Sequence, residues 1–164
     1  TVMATPWLTE RHGYDPTYAK KEEIVQKDGF PQIPGVKEAI KRLHDEGFRL
    51  EVASSSAGYY IGRVLDALEI RQYFECYTSG EEVEHPKPAP DTFLRAMEKL
   101  NLKPEDCIIV EDSTNGGKAA AAAGAKCVWF HNPDSGDQQI LHAVLTITSW
   151  SPENVDKLID LMHA

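Results

Sequence analysis

Residues 108–124 read IIVEDSTNGGKAAAAAG, and this stretch decides the fold class. The run at 107–110 is continuously apolar, which is typical of a strand buried on both faces of a parallel sheet. It stops at two acids, Glu111 and Asp112, and the alanine-rich run at 116–123 that follows favours a helix. A buried strand, a polar turn and a helix in this order predict one unit of an α/β protein.

The chain from residue 34 onward alternates between the same two kinds of element. Apolar residues at helical spacing predict helices around residues 36–43, 61–68, 93–100 and 152–162. Short apolar runs predict strands at 49–53, 74–78, 127–130 and 145–147. Because such units connect by right-handed crossovers, residues 34–164 predict one core domain with a doubly wound, mainly parallel sheet, a Rossmannoid α/β fold. Ligands of such sheets bind beyond the carboxyl ends of the strands.

Residues 1–33 do not follow this alternation. Pro6, Gly13 and Pro16 interrupt any long element, while residues 18–26 are compatible with one charged helix. We therefore expect this stretch to be the remnant of a small helical insert and its linker, and not a part of the sheet.

Composition limits the classes of partner. Seventeen basic residues against twenty-six acidic ones give a net charge of −9, which repels nucleic acid and anionic membranes. No apolar run approaches the roughly 20 residues that cross a bilayer, and no charged-then-apolar leader opens the sequence. The three widely spaced cysteines suit neither a disulfide framework nor a zinc site. We expect a cytoplasmic protein without a nucleic-acid or membrane partner.

Polar clusters follow two of the predicted strands. Ser54, Ser55 and Ser56 come after the strand at 49–53, where small residues let backbone N–H groups converge on phosphate oxygens. A serine-rich turn that caps the next helix is the commoner explanation for such a run. Lys87 lies between prolines in HPKPAPD, and a lysine presented from a stiff loop can neutralise a carboxylate or a phosphoryl oxygen. The competing explanation for Lys87 is an exposed, solvated side chain.

Glu111 and Asp112 form the third cluster. Two adjacent carboxylates at the end of a buried strand are unfavourable unless something balances their charge. Mg²⁺ does this well, since it binds one or two carboxylates together with water and substrate phosphate. The alternative is the favourable interaction of acids with a helix N-terminus. For two acids together we favour the metal.

The order of these motifs resembles the haloacid dehalogenase-like (HAD) hydrolase family. VASSSA (52–57), HPKPAPDTF (85–93) and the stretch at 108–124 are similar to the branch that contains β-phosphoglucomutase and phosphoglycolate phosphatase. The resemblance implies a Mg²⁺-dependent enzyme that hydrolyses a small phosphorylated metabolite, or a sugar-phosphate mutase, through an aspartyl-phosphate. Residues 1–33 would then be the remnant of the family's helical cap.

The resemblance also implies a role for each candidate residue. Ser54 would bind the transferring phosphoryl group, helped by Ser55, and Lys87 would bridge the nucleophile and the phosphate. Asp112 would bind Mg²⁺ directly, and Glu111 directly or through water. In the intact enzyme we expect Lys87→Ala to abolish turnover without unfolding the protein.

One departure from the family pattern leaves two explanations open. The family opens with a strand ending in Asp-x-Asp-Gly, which supplies the nucleophile and the general acid/base, and no Asp-x-Asp occurs in the 164 residues. Either a separate N-terminal segment of the same protein supplies the nucleophile, or residues 1–7 form a substitute strand in a relative that binds phosphate or metal without turnover. We favour the first explanation because the three remaining clusters look complete.

Overall fold

The computed structural model describes residues 2–4, 29–30 and 32–164. The strands of this part of the chain are β1 (Val2–Ala4), β2 (Leu50–Ser54), β3 (Cys76–Ser79), β4 (Ile108–Glu111), β5 (Lys126–Phe130) and β6 (Leu145–Ile147). Its α-helices are α1 (Val36–Asp45), α2 (Gly58–Ala67), α3 (Asp91–Leu100), α4 (Thr114–Ala123) and α5 (Pro152–His163). None of these helices is long and apolar enough to span a bilayer.

The six strands form one sheet in the order β3-β2-β1-β4-β5-β6, and every neighbouring pair is parallel. The chain runs outward from β1 to β3, returns to β4 beside β1, and then runs outward on the other side. This confirms the predicted doubly wound α/β fold. The strand order reverses between β1 and β4, so the carboxyl ends of the central strands are where such a sheet binds ligands.

Strand β1 occupies the centre of the sheet. Val2 lies opposite both Leu50 of β2 and Ile108 of β4, and Ala4 lies opposite Val110. Val2–Ala4 therefore belongs to the sheet and not to a helical insert, which corrects the assignment of residues 1–33 at these three positions. Val2–Ala4 therefore lies where the second explanation, a relative that binds phosphate or metal without turnover, requires a substitute strand. The predicted helix at 18–26 lies outside the described residues.

The helical periodicity predicted most of the buried positions. In α1 the buried residues are Val36, Ala39, Ile40 and Leu43, as their spacing predicts. In α3 the apolar Leu94, which lies within the helix predicted around residues 93–100, is 43% exposed. Leu94 lies outside the buried face of this helix, which is formed by Thr92, Phe93, Ala96, Met97 and Leu100.

The sheet separates two apolar layers. Leu50 and Val52 of β2 pack with α1, α2 and α5 on one face, whereas Ala53 packs with α3 and α4 on the other. This alternation follows from the two-residue period of a strand. The three cysteines are free thiols. Burial raises the pKa of the Cys127 thiol to about 12, so Cys127 is protonated at neutral pH and packs as a small apolar residue.

Glu51 is an unusual member of the core. Its side chain is fully buried in β2, and the Thr78 hydroxyl donates a hydrogen bond of 2.5 Å to its Oε1. Burial raises the pKa of Glu51 to about 7, while the Thr78 hydrogen bond and the charge of Lys99 oppose that rise and Glu82 adds to it. Glu51 is therefore a buried carboxyl group that is largely neutral below neutral pH.

Candidate active site

Lys87 and Glu111 meet at the carboxyl ends of the central strands. Lys87 Nζ donates a hydrogen bond of 2.6 Å to Glu111 Oε1 and one of 3.3 Å to the carbonyl oxygen of Ala53. Ala53 precedes Ser54 at the end of β2, and Glu111 ends β4. The structure thus brings together the last residues of two strands and a lysine from the proline-rich loop.

The Lys87 side chain is buried, so the competing explanation of an exposed, solvated lysine does not hold. Lys87 and Glu111 are only 3% and 2% exposed, and Lys87 Nζ lies 4.6 Å from the centre of the Phe93 ring. The loop around Lys87 is closed by His85, whose Nδ1 lies 3.0 Å from Asp91 Oδ2. Removing one partner of a buried ion pair costs about 3–5 kcal/mol. We therefore add a lower free energy of unfolding to the prediction for Lys87→Ala, and its loss of turnover without unfolding stays a prediction.

Glu111 is held by donors on both of its oxygens. Its Oε2 accepts hydrogen bonds from Asp112 N (3.1 Å), Ser113 N (3.2 Å) and Ser113 Oγ (3.0 Å). Gly116 makes room for this arrangement, because a Cβ atom there would lie 2.0 Å from Glu111 Cδ. The charge of Glu111 is therefore balanced by Lys87 and by the N-terminus of α4. For this acid, the alternative given above, a favourable interaction with a helix N-terminus, applies.

Asp112 has a different environment from Glu111. It is half-buried, and its Oδ2 accepts a hydrogen bond of 2.5 Å from the Ser135 hydroxyl. Burial raises the pKa of Asp112 to about 6, opposed by hydrogen bonds from Ser135 and Asn132 and reinforced by the charge of Glu111. A bound cation would stabilise the charged form of this carboxylate.

The donor set is compatible with Mg²⁺ at Asp112. Mg²⁺ usually binds one or two protein carboxylates and completes its shell with water and phosphate oxygens. Asp112 fits this role, whereas Glu111 already uses both oxygens and fits a contact through water better than direct ligation. Within the described part of the chain, no three His, Cys, Asp or Glu side chains converge on one point. The remaining ligands would come from water, substrate or residues outside that part.

The serine turn after β2 is fixed by local hydrogen bonds. Ser54 is buried, and its Oγ accepts a hydrogen bond of 3.1 Å from Ser56 N. Ser79 Oγ donates to the carbonyl oxygen of Ser56 at 2.7 Å, and a Cβ atom on Gly80 would lie 2.9 Å from Ser55 Cα. Ser55 is exposed beside this packed turn. The phosphate-binding roles of Ser54 and Ser55 stay predictions.

Four residues that shape the site were not predicted from the sequence: Phe93, Gly116, Asn132 and Ser135. Asn132 and Ser135 follow β5 directly, so the rule that ligands lie beyond the carboxyl ends of strands applied to them as well. Gly116 could also have been singled out from the sequence, since glycine within a helix is unfavourable unless another group needs the space. Phe93 is part of the quoted HPKPAPDTF motif, but its spacing indicated only a core residue.

Comparisons with known proteins identify the family to which the sequence is similar. The sequence model of the family described as "haloacid dehalogenase-like hydrolase" matches residues 8–130. A haloacid dehalogenase-like hydrolase domain-containing protein of Arabidopsis thaliana is 30% identical over 160 residues, which cover 96% of this chain and 48% of that protein. Phosphoglycolate phosphatase of Nitrosospira multiformis is 37% identical over 110 residues, covering 67% and 48%.

Solved structures share the fold. β-Phosphoglucomutase from Clostridium difficile superimposes with a TM-score of 0.68 at 23% identity, covering 87% of this chain and 61% of that one. The chain spans about half the length of the two curated relatives described above. Because the family model matches most of its residues, the chain belongs to the haloacid dehalogenase-like hydrolase family, in the branch of phosphoglycolate phosphatase and β-phosphoglucomutase.

Proposed function

We propose that this chain carries the phosphate- and metal-binding part of a Mg²⁺-dependent phosphoryl-transfer site that hydrolyses a small phosphomonoester. A sugar-phosphate mutase would use the same site with a sugar hydroxyl as the acceptor. The observation that carries the proposal is the buried Lys87–Glu111 pair beside Asp112 at the central carboxyl ends of the sheet. The phosphatase relative supports a small phosphorylated metabolite as substrate.

Each residue contributes one function to this proposal. Lys87 stabilises the negative charge of the transferring phosphoryl group, and Glu111 holds the lysine in place. Ser54 and Ser55 bind phosphoryl oxygens at the end of β2 through hydroxyl or backbone groups. Asp112 holds Mg²⁺, with Glu111 contributing through water, and Mg²⁺ when bound neutralises charge on the phosphate.

The sequence lacks the family's Asp-x-Asp motif, which supplies the nucleophile. In the family the first strand ends in the nucleophilic Asp, whereas here Ala4 ends β1 and Thr5-Pro6-Trp7 follows. We propose that turnover by an aspartyl-phosphate requires a carboxylate from a separate N-terminal segment of the protein. Localisation in the cytoplasm and the absence of nucleic-acid partners stay predictions from composition.

A second candidate is favoured by the position of β1. Because Val2–Ala4 pairs with both β2 and β4, the central place in the sheet is already filled by a strand without an acid. A chain of this kind would bind phosphate and Mg²⁺ but would not turn over. The same residues, Lys87 and Asp112, would carry that binding.

One set of measurements separates the two candidates. We would express the complete gene, so that any separate N-terminal segment of the protein is retained, and measure phosphate release from small phosphate monoesters, with Mg²⁺ and with EDTA, and Mg²⁺ binding by calorimetry. Asp112→Asn is the test variant, and Asp160→Asn on the exposed face of α5 is the matched control. Metal-dependent release that only Asp112→Asn abolishes supports the enzyme. Binding without release, lost only in Asp112→Asn, supports the second candidate, and an Asp112→Asn variant indistinguishable from wild type refutes both.

A further inference from the structure

The loop after β5 reaches back to the proposed metal ligand. Ser135 lies in a short 3₁₀ turn, Pro133–Ser135, and its hydroxyl donates the 2.5 Å hydrogen bond to Asp112 Oδ2. The two residues are 23 positions apart in the chain, so the contact is a product of the fold. Ser135 and Asp112 are both half-buried.

Ser135 is held from both sides of the loop. On one side, Ser135 N donates to the carbonyl oxygen of the buried Asn132 at 3.1 Å. On the other side, Gln138 Nε2 donates to the carbonyl oxygen of Ser135 at 3.0 Å, while Gln138 Oε1 accepts from Thr114 N at 2.8 Å. Thr114 is the first residue of α4. The loop is therefore attached to the helix that follows Asp112, and the serine hydroxyl has a fixed position relative to the carboxylate.

Glu111 and Asp112 consequently differ in how they can meet a cation. Both oxygens of Glu111 are engaged by Lys87 and by donors of the following turn. In Asp112 the Ser135 hydroxyl engages Oδ2, and the Asn132 side chain adds a hydrogen bond to the same carboxylate. A cation that approached Oδ2 would compete with the Ser135 hydroxyl, whereas Oδ1 takes no part in the Ser135 bond.

We propose that Ser135 is a positioning residue that restricts Asp112 to ligation through one carboxylate oxygen and thereby favours Mg²⁺ over Ca²⁺. The inference rests on the proposed function, since it requires Asp112 to bind the metal. Mg²⁺ is small, requires nearly octahedral geometry and binds carboxylates through single oxygens. Ca²⁺ is larger and accepts both oxygens of one carboxylate. A hydroxyl that occupies one oxygen therefore disfavours Ca²⁺ and orients the carboxylate for Mg²⁺.

The test measures the binding of each ion separately. The 164-residue chain and its Ser135→Ala and Ser135→Thr variants are titrated by calorimetry with MgCl₂ and with CaCl₂. Loss of a hydrogen-bond partner behind a metal ligand lowers metal affinity by about tenfold or more. We expect Ser135→Ala to weaken Mg²⁺ binding by about tenfold and to leave Ca²⁺ binding unchanged or stronger. Ser135→Thr, which keeps a hydroxyl, restores the ratio of the two affinities.

A general loss of stability would not change this ratio. Ser151→Ala is the control, because Ser151 Oγ accepts a hydrogen bond from Asn154 N at the start of α5 and its loss destabilises a helix end away from Asp112. If circular dichroism shows that Ser135→Ala is unfolded, Ser135→Cys replaces it, since a thiol of similar size is a weak donor.

The outcomes separate the two proposals. A wild-type ratio of Mg²⁺ to Ca²⁺ affinity in Ser135→Ala, or in Ser135→Cys where that variant is used, overturns the role of Ser135 and leaves the proposed function standing. A wild-type chain that binds neither ion overturns the proposed metal site and the inference with it. A lower ratio in Ser135→Ala alone, with Ser151→Ala unchanged, supports the inference.

Discussion

The Lys87–Glu111 pair gives a quantitative test of the site because both side chains are removed from water. Lys87→Met keeps a long apolar stem but removes the ammonium group. It leaves Glu111, 2% exposed, with hydrogen-bond donors on Oε2 but without the cation on Oε1. An unbalanced buried charge of this kind lowers the free energy of unfolding by about 3–5 kcal/mol. That is a large part of the roughly 5–15 kcal/mol by which domains are stable.

A second substitution should restore most of that loss. In Lys87→Met/Glu111→Gln the buried charge is gone, and the amide oxygen of the new side chain can still accept from the backbone N–H groups of Asp112 and Ser113. Replacing both partners of a buried pair by neutral groups is often nearly neutral for stability. Lys118→Met, on the exposed face of α4, is the matched control, with an expected change within about 0.5 kcal/mol.

Urea unfolding followed by tryptophan fluorescence measures these differences. Trp150 is buried and Trp129 is half-buried, so both report loss of the native core. If the unfolding free energy of Lys87→Met is within about 1 kcal/mol of the wild-type value, well short of the loss expected for a broken buried pair, the charge of Glu111 does not depend on Lys87. The same conclusion follows if the double variant is no more stable than Lys87→Met, because removal of the charge would then have no effect.

Two further predictions concern buried groups near the sheet. Because the pKa of Glu51 is about 7 in the folded protein and lower in the unfolded chain, the folded state binds the extra proton, and stability falls as pH rises from about 4.5 to about 7. The shift corresponds to about 3 kcal/mol. The free energy of unfolding of Glu51→Gln, relative to that of the wild type, should therefore rise by about this amount between urea titrations at pH 5 and at pH 8. A difference that does not change with pH would contradict the assignment. Gly116→Ala should lower the free energy of unfolding by more than about 2 kcal/mol, since its Cβ would overlap Glu111, whereas Asn115→Ala, exposed on the same helix, should have little effect in the same assay.

Much of the fold was predictable because the buried residues of a helix or a strand recur at a regular spacing along the sequence. The apolar run before Glu111 predicted β4, and the rule for carboxyl ends predicted that Lys87 and Glu111 lie at one edge of the sheet. Strand β1 was not predictable in the same way. Its three residues are too few to establish a period, and Pro6 follows closely.

The balance of charge inside the site was harder to predict than its position. Prolines around Lys87 indicated a stiff loop, but they contain no information on whether the ammonium group faces water or a carboxylate. The two acids were interpreted as one metal-binding pair, whereas the structure pairs Glu111 with Lys87 and Asp112 with Ser135, and the metal-binding roles of both acids stay predictions. Ser135 depends on a turn whose path is set by contacts with Thr114, and such contacts between distant residues leave no local pattern.

The central position of β1 has a consequence for cooperativity. Val2–Ala4 connects a two-stranded ladder, β2 with β3, to a three-stranded ladder formed by β4, β5 and β6. The described strands have no other hydrogen-bonded connection between these two ladders. If β1 detaches, the sheet divides into two smaller units, each with a new unpaired edge next to the candidate site. Hydrogen bonding across the sheet is therefore continuous only while these three residues remain paired, whereas Lys87, which bonds to Ala53 on β2 and to Glu111 on β4, joins the candidate groups of the two halves independently of β1.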